Sequence, residues 1–174
     1  MNKVNAQLAA GILPFFDNGK TILLGQEYRK RDNSYSWMEF GGKHENGETL
    51  AETACREANE ETGGTLGVTI DQVLASEQNG HYIDHYNEKS NVFYRMYCVI
   101  FEDEMITPES FKLNSEGKKH VGKVDWQYFD SKNVIYSLDG KLPGTEIPLY
   151  GTMQIRLKKL QEQDFLSKLL EKQN

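Results

Sequence analysis

Three glutamates, Glu57, Glu60 and Glu61, constrain this chain more than any other feature of it. On a helix they stand at i, i+3 and i+4, so their carboxylates share one narrow face. Ala51, Cys55, Ala58 and Thr62 recur at spacings of four, three and four on a different face. Side chains that small let a helix lie close against a sheet. Thr49 and Glu52 have the spacing of a capping box at the helix start, and Gly63-Gly64 reads as its stop. Like charges at these spacings repel by roughly 0.2–0.5 kcal/mol per pair on an exposed helix, so folding gains nothing from them. A hard divalent cation gains a great deal, because Mg²⁺ and Mn²⁺ prefer carboxylate, carbonyl and water oxygens. A solvated acidic face is the ordinary reading of a Glu-rich helix. Here the Gly41-Gly42 turn lies fifteen residues upstream of Glu57, where bare backbone can bring a carbonyl to the same ion.

The rest of the chain reads as one domain over residues 1–174, without repeats or linkers. Leu8 to Phe16 is an apolar strand, and the Asn18-Gly19 turn returns it as Thr21 to Leu24. Arg29 to Asn33 forms a basic loop, and Trp37 to Phe40 a short strand running into the paired glycines. Further strands are expected around Val68 to Glu77, at Val92 to Phe101 and at Val124 to Phe129, with a long polar connection from Glu102 to Lys123. Leu157, Leu160, Leu166, Leu169 and Leu170 give an amphipathic C-terminal helix at about 152–172. The fold class is a mixed α/β sandwich.

Composition excludes several classes. Twenty basic residues against 26 acidic ones leave a formal net charge of −6, which argues against a general electrostatic grip on nucleic acid or anionic lipid. Two cysteines, Cys55 and Cys98, make no disulfide framework and no zinc pattern. Met1 to Gln7 lacks the features of a signal peptide, and Leu8 to Phe16, nine residues with Pro14, cannot span a bilayer. A soluble, cytoplasmic protein is expected.

The segment GKHENGETLAETACREANEETGG resembles the Nudix box, with Gly42, Glu48, Arg56, Glu57, Glu60, Glu61 and Gly63 at the required spacing and Ala58 in the first aliphatic position. It departs from the pattern at Gly64, where the box has an aliphatic residue, and at Phe40, where many members have Pro. The resemblance implies the Nudix fold, a mixed β-sheet flanked by helices. It also implies a metal-dependent hydrolase that cuts a nucleoside diphosphate linked to another moiety. Carried over residue by residue, Glu57, Glu60 and Glu61 would bind Mg²⁺, or Mn²⁺ in its place, with help from the Gly41 carbonyl. Arg56 would hold the glutamates, Glu48 would brace the loop, and Glu57 is one candidate base. In many members the base comes from outside the box, which points to the Glu102 to Lys123 connection, with Glu116 first and Glu102 second.

Weaker signals stay open. Tyr28, Arg29, Lys30 and Arg31 could grip a base and a phosphate or form a solvated loop. Lys118, Lys119, His120 and Lys123 could steer a phosphate tail or simply solubilise their loop. His81, Asp84 and His85 read better as a polar hairpin than as a metal site, and Trp37 and Trp126 as core. The expected partner is a small nucleotide-like diphosphate, such as a nucleoside triphosphate, a dinucleoside polyphosphate or a nucleotide sugar. Nucleic acid is possible but not favoured, no membrane is expected, and a homodimer through the last helix is possible. The alternatives are an mRNA-decapping hydrolase and a non-catalytic nucleotide- or RNA-binding module. An isomerase of prenyl diphosphates would need an additional protonating and nucleophilic pair, often including a pocket cysteine, which neither Cys55 nor Cys98 is placed to supply.

Overall fold

A computed structural model describes residues 6–119 and 121–172, and among these it has seven strands, six α-helices and a short 3-10 turn at Asp17–Gly19. The first strand, β1 (Gln7–Phe16), is buried from Ala9 onward on both faces. A strand covered on both sides must be apolar at every position rather than at alternate ones, which explains its unbroken hydrophobic run. Leu13 and Phe15 face one core, and Ala10, Ile12 and Phe16 face the other.

Around β1 the sheet is mixed, in the order β3-β2-β1-β6-β5. Strand β6 (Val92–Ile100) runs parallel to β1 from Gln7↔Val92 to Phe15↔Ile100, and β5 (Tyr82–Asn87) closes that edge antiparallel. On the other edge β1 changes partner midway. β2 (Thr21–Arg29) pairs with it only at Phe15↔Ile22 and Phe16↔Thr21, and then takes up β7 (Lys123–Asp130) and β3 (Ser34–Met38). The place that β2 leaves is filled by β4 (Phe40–Lys43), from Ala9↔Lys43 to Ile12↔Phe40. The expected single strand from Trp37 to Phe40 is therefore two strands, broken where Glu39 crosses from one ladder to the next.

Helix α1 (Leu50–Glu61) lies on one face, its Ala51, Ala54 and Ala58 packed on the sheet, and the Thr49/Glu52 capping box is formed. Next to it lies α2 (Ile70–Gln78), where the sequence suggested a strand. Its β-branched start, Val68-Thr69-Ile70, reads as extended, but Thr69 and Gln72 make a second capping box, which commits the segment to a helix. The polar connection after β6 contains α3 (Pro108–Ser115), whose Phe111 stacks on Trp126 at 6.1 Å. Trp126 and Trp37 are both core residues.

The opposite face carries α4 (Ser131–Ile135), α5 (Gly151–Glu162) and α6 (Phe165–Glu171). The last two replace the single C-terminal helix expected. Asp164 adopts a left-handed φ of 52° between them. The six-residue step from Leu160 to Leu166 cannot keep one helical face, so the chain turns and presents Phe165, Leu166 and Leu169 to the core separately. Among the described residues no helix is long and apolar enough to cross a membrane.

Candidate metal centre

The site forms where α1 crosses the β4 end of the sheet. Gly42 lies directly beneath the Glu57 carboxylate: a Cβ there would stand 2.5 Å from its Cδ. Gly41 is pressed between the Gly11 backbone and the Tyr94 hydroxyl, which also leaves no room for a side chain. Both glycines are set by close approach. At the far end of α1, Gly63 and Gly64 take left-handed φ values of 60° and 80°. An aliphatic residue at position 64 would be strained in that backbone, which accounts for the departure from the box. Phe40, the other departure, is fully buried and borders Gly25.

Arg56 organises the outer half of the site. Its Nε donates to Glu48 Oε1 at 2.6 Å and its Nη2 to Glu48 Oε2 at 3.1 Å, a bidentate pair. Nη1 reaches Glu57 at 2.9 Å and Glu60 at 3.3 Å, and Nη2 also donates to the Lys43 carbonyl at 3.0 Å. Glu48 accepts further bonds from the Glu45 amide and the Thr53 hydroxyl. The Arg56 guanidinium holds the Glu48 carboxyl down at about 2. Burial pushes Glu57 above the usual carboxylate range, with Arg56 opposing it and Glu60 adding to it.

The inner half is built on a residue that the local sequence does not single out. Lys123, which the sequence offers as a phosphate-steering or solubilising loop cation, opens β7 with its side chain completely buried. Its Nζ donates to Glu27 Oε2 at 2.9 Å and stands 3.4 Å from Glu61 Oε1. Glu61 Oε2 accepts from the Gly41 amide at 2.9 Å, so the contact made by Gly41 is through its N–H. Burial pushes the Glu61 carboxyl up to about 8, with Lys123 pulling it down and Glu27 adding to the rise. Burial works against the charge of Lys123, but Glu61 and Glu27 outweigh it and raise its pKa.

Glu27 continues the chain of contacts outward. It pairs with Arg29 at 3.2 Å, and the Arg29 guanidinium lies 4.3 Å from the Tyr150 ring centre and donates to its hydroxyl at 2.9 Å. Tyr28 is exposed, with its ring 5.1 Å from that of Tyr35 and its hydroxyl on Asn33. Arg31 is 82% exposed and pairs with its neighbour Asp32. Glu116 caps α3 in solvent, on the segment whose Lys118 donates to the Gly63 carbonyl at 2.6 Å. Glu102 lies elsewhere, in a cleft with Gln72, Asn79 and His81. Asp84 is taken by Arg95 at 2.7 Å, and among the described residues His81, Asp84 and His85 do not converge as a metal-holding group. His120 lies outside the described residues.

Five carboxylates, those of Glu27, Glu48, Glu57, Glu60 and Glu61, thus meet three cations, Arg29, Arg56 and Lys123. Anionic charge stays in surplus, and every donor is a hard oxygen, so the site suits a hard divalent cation in charge and chemistry. Among the described residues no three Asp, Glu, His or Cys side chains converge into a ready-made cage. Arg56 engages Glu57 and Glu60, while Lys123 and the Gly41 amide engage Glu61.

A family model described as the NUDIX domain matches residues 5–138. Solved structures resemble the fold over most of the chain. An Ap4A hydrolase from C. elegans in a binary complex is 19% identical with a TM-score of 0.53, covering 92% of this chain and 98% of its own. A MutT protein from Methanosarcina mazei Go1 is 15% identical with a TM-score of 0.55, over 91% and 94%. A bifunctional NMN adenylyltransferase/ADP ribose pyrophosphatase from Francisella tularensis, complexed with AMP and a Mn ion, is 17% identical with a TM-score of 0.56, over 91% and 42%. No curated protein matches the chain.

Proposed function

Because the chain belongs to the NUDIX family, whose hydrolases act on pyrophosphate bonds, we propose that it is a Mg²⁺-dependent pyrophosphohydrolase of small nucleotide-like diphosphates. Its substrate is a nucleoside diphosphate linked to a further phosphate, a second nucleotide or a sugar, and it works in the cytoplasm. The observation that carries this reading is the surplus of carboxylate over cation where Glu57 rests on Gly42. The Ap4A hydrolase and the ADP ribose pyrophosphatase among the similar structures favour small nucleotides as the substrate class.

In this reading Glu57, Glu60 and Glu61 would hold the divalent ion with the Gly41 carbonyl, while the Gly41 N–H fixes Glu61. The ion supplies charge neutralisation at phosphate oxygens and a water of lowered pKa. Arg56 keeps Glu57 and Glu60 on one side of α1, and Glu48 fixes Arg56 in turn. Glu57 accepts the proton of the attacking water. Glu116, on the segment beside the end of α1, is the second acidic candidate. Arg29 offers its guanidinium to a phosphate, and Tyr28, tilted against Tyr35, offers an exposed ring to a base. Arg31, exposed at the tip of the same hairpin, approaches the substrate only from solvent.

The test is product release with Mg²⁺ from nucleoside triphosphates, dinucleoside polyphosphates, nucleotide sugars and capped RNA. Turnover of a small-nucleotide class that vanishes with EDTA and falls at least about a hundredfold in Glu57→Gln is expected. Cleavage of capped RNA alone would replace the substrate class, and nucleotide binding without turnover would replace the hydrolase by a binding module.

A further inference from the structure

Lys123 is an ammonium group with zero exposure placed among glutamates that a metal ion would also seek. Taking such a charge out of water is costly, and an apolar residue of similar length would pack more cheaply in a purely structural role. The seat is nevertheless built for it. A Cβ on Gly25 would come within 2.9 Å of Lys123 Cδ, so the missing side chain makes room for the lysine stem. The Phe40 ring centre lies 5.9 Å from Nζ. The partners of Lys123 are specific as well: Arg56 engages Glu57 and Glu60, whereas Glu61 receives Lys123 on one oxygen and the Gly41 amide on the other.

We propose that Lys123 is a built-in counter-cation of the glutamate face, one that competes with the divalent ion for Glu61 and so limits how tightly, and in what number, ions are bound. The proposal rests on the reading of that face as the metal site. Glu57 and Glu60 are then the stronger ligands, because their shared partner Arg56 lies toward Glu48, whereas Glu61 can give itself to the ion only by loosening its hold on Lys123. Lys123 is a positioning residue: it touches a ligand rather than the substrate.

The test is Mn²⁺ binding to the full chain without substrate, read from the electron paramagnetic resonance signal of the free ion, so that turnover plays no part. Wild type is compared with Glu57→Gln, Glu61→Gln, Lys123→Met and the double variant Lys123→Met/Glu27→Gln. Removing a cation this close to a carboxylate is expected to tighten Mn²⁺ binding about tenfold or to add an ion. The double variant keeps the net charge of the wild type and is expected to tighten binding as well, because Glu61 is released. Glu61→Gln is expected to weaken binding less than Glu57→Gln does. Unchanged or weaker Mn²⁺ binding in the folded lysine variants overturns the proposal. So does an equal loss in Glu61→Gln and Glu57→Gln, a comparison that stands even if neither lysine variant folds. If wild type binds no Mn²⁺, or Glu57→Gln binds it as wild type does, the metal reading itself falls, which is a different failure from that of Lys123 alone.

Discussion

At the scale of single residues, the glutamates were legible from their spacing and Arg56 and Glu48 from the resemblance, whereas the burial of Lys123 among them was not. Spacing alone puts Glu57, Glu60 and Glu61 on one face, because helical periodicity is a local property of the chain. Lys123 is 96 residues from Glu27 and is brought to it only by the β2–β7 ladder. Nothing nearby distinguishes it from Lys118 or Lys119. Gly42 carries a sharp prediction. Gly42→Ala places a Cβ 2.5 Å from the Glu57 carboxyl carbon, and Glu57 must move. Displacing a catalytic group by about an ångström costs on the order of a hundredfold in rate. A loss of that size in kcat/KM, with the melting temperature shifted only slightly, is expected from steady-state kinetics and thermal unfolding of the variant. Activity within a few fold of wild type would remove Glu57 from the chemistry.

At the scale of elements, α1 was legible to the residue because its capping box and tandem glycines are explicit start and stop signals. The misreading of α2 shows how a β-branched opening can mask the same signal in Thr69 and Gln72. The Glu39 corner is held from α5 by an ion pair that no local pattern announces. Arg156 donates to Glu39, both are buried, and the Arg156 guanidinium lies 4.2 Å from the Tyr94 ring centre. The Tyr94 hydroxyl also engages Glu39, and among the described residues Arg156 Nε has no hydrogen-bond partner. Arg156→Met leaves a buried carboxylate without its paired guanidinium and is expected to destabilise the fold by about 3–5 kcal/mol in urea titration. Pairing it with Glu39→Leu should recover most of that loss, and a double variant as unstable as the single one would contradict the assignment.

At the scale of the whole molecule, charge at the site links stability to pH and to metal. Glu61 has its pKa raised from 4.5 to about 8 on folding. Its contribution to stability is therefore full below about 4.5 and lost as pH rises through about 8. In EDTA, the melting temperature of wild type relative to Glu61→Gln is expected to fall across that window. Saturating Mg²⁺ should flatten the dependence, since the ion favours the carboxylate in the folded state alone. Equal pH profiles for the two proteins would show that the Glu61 carboxyl does not titrate with folding.

The partner exchange along β1 has a consequence of a different kind. Six positions of one edge are divided between two neighbours, β4 taking Ala9 to Ile12 and β2 taking Phe15 and Phe16. Between those neighbours the sheet has a seam rather than a ladder, and side chains close it: the Phe40 ring against Gly25, and Lys123 between Glu27 and Glu61. A ladder must give up backbone hydrogen bonds to admit anything, whereas a seam needs only a change of rotamer. The middle of this sheet is thus held by the side chains of Phe40, Lys123, Glu27 and Glu61, while every strand stays paired.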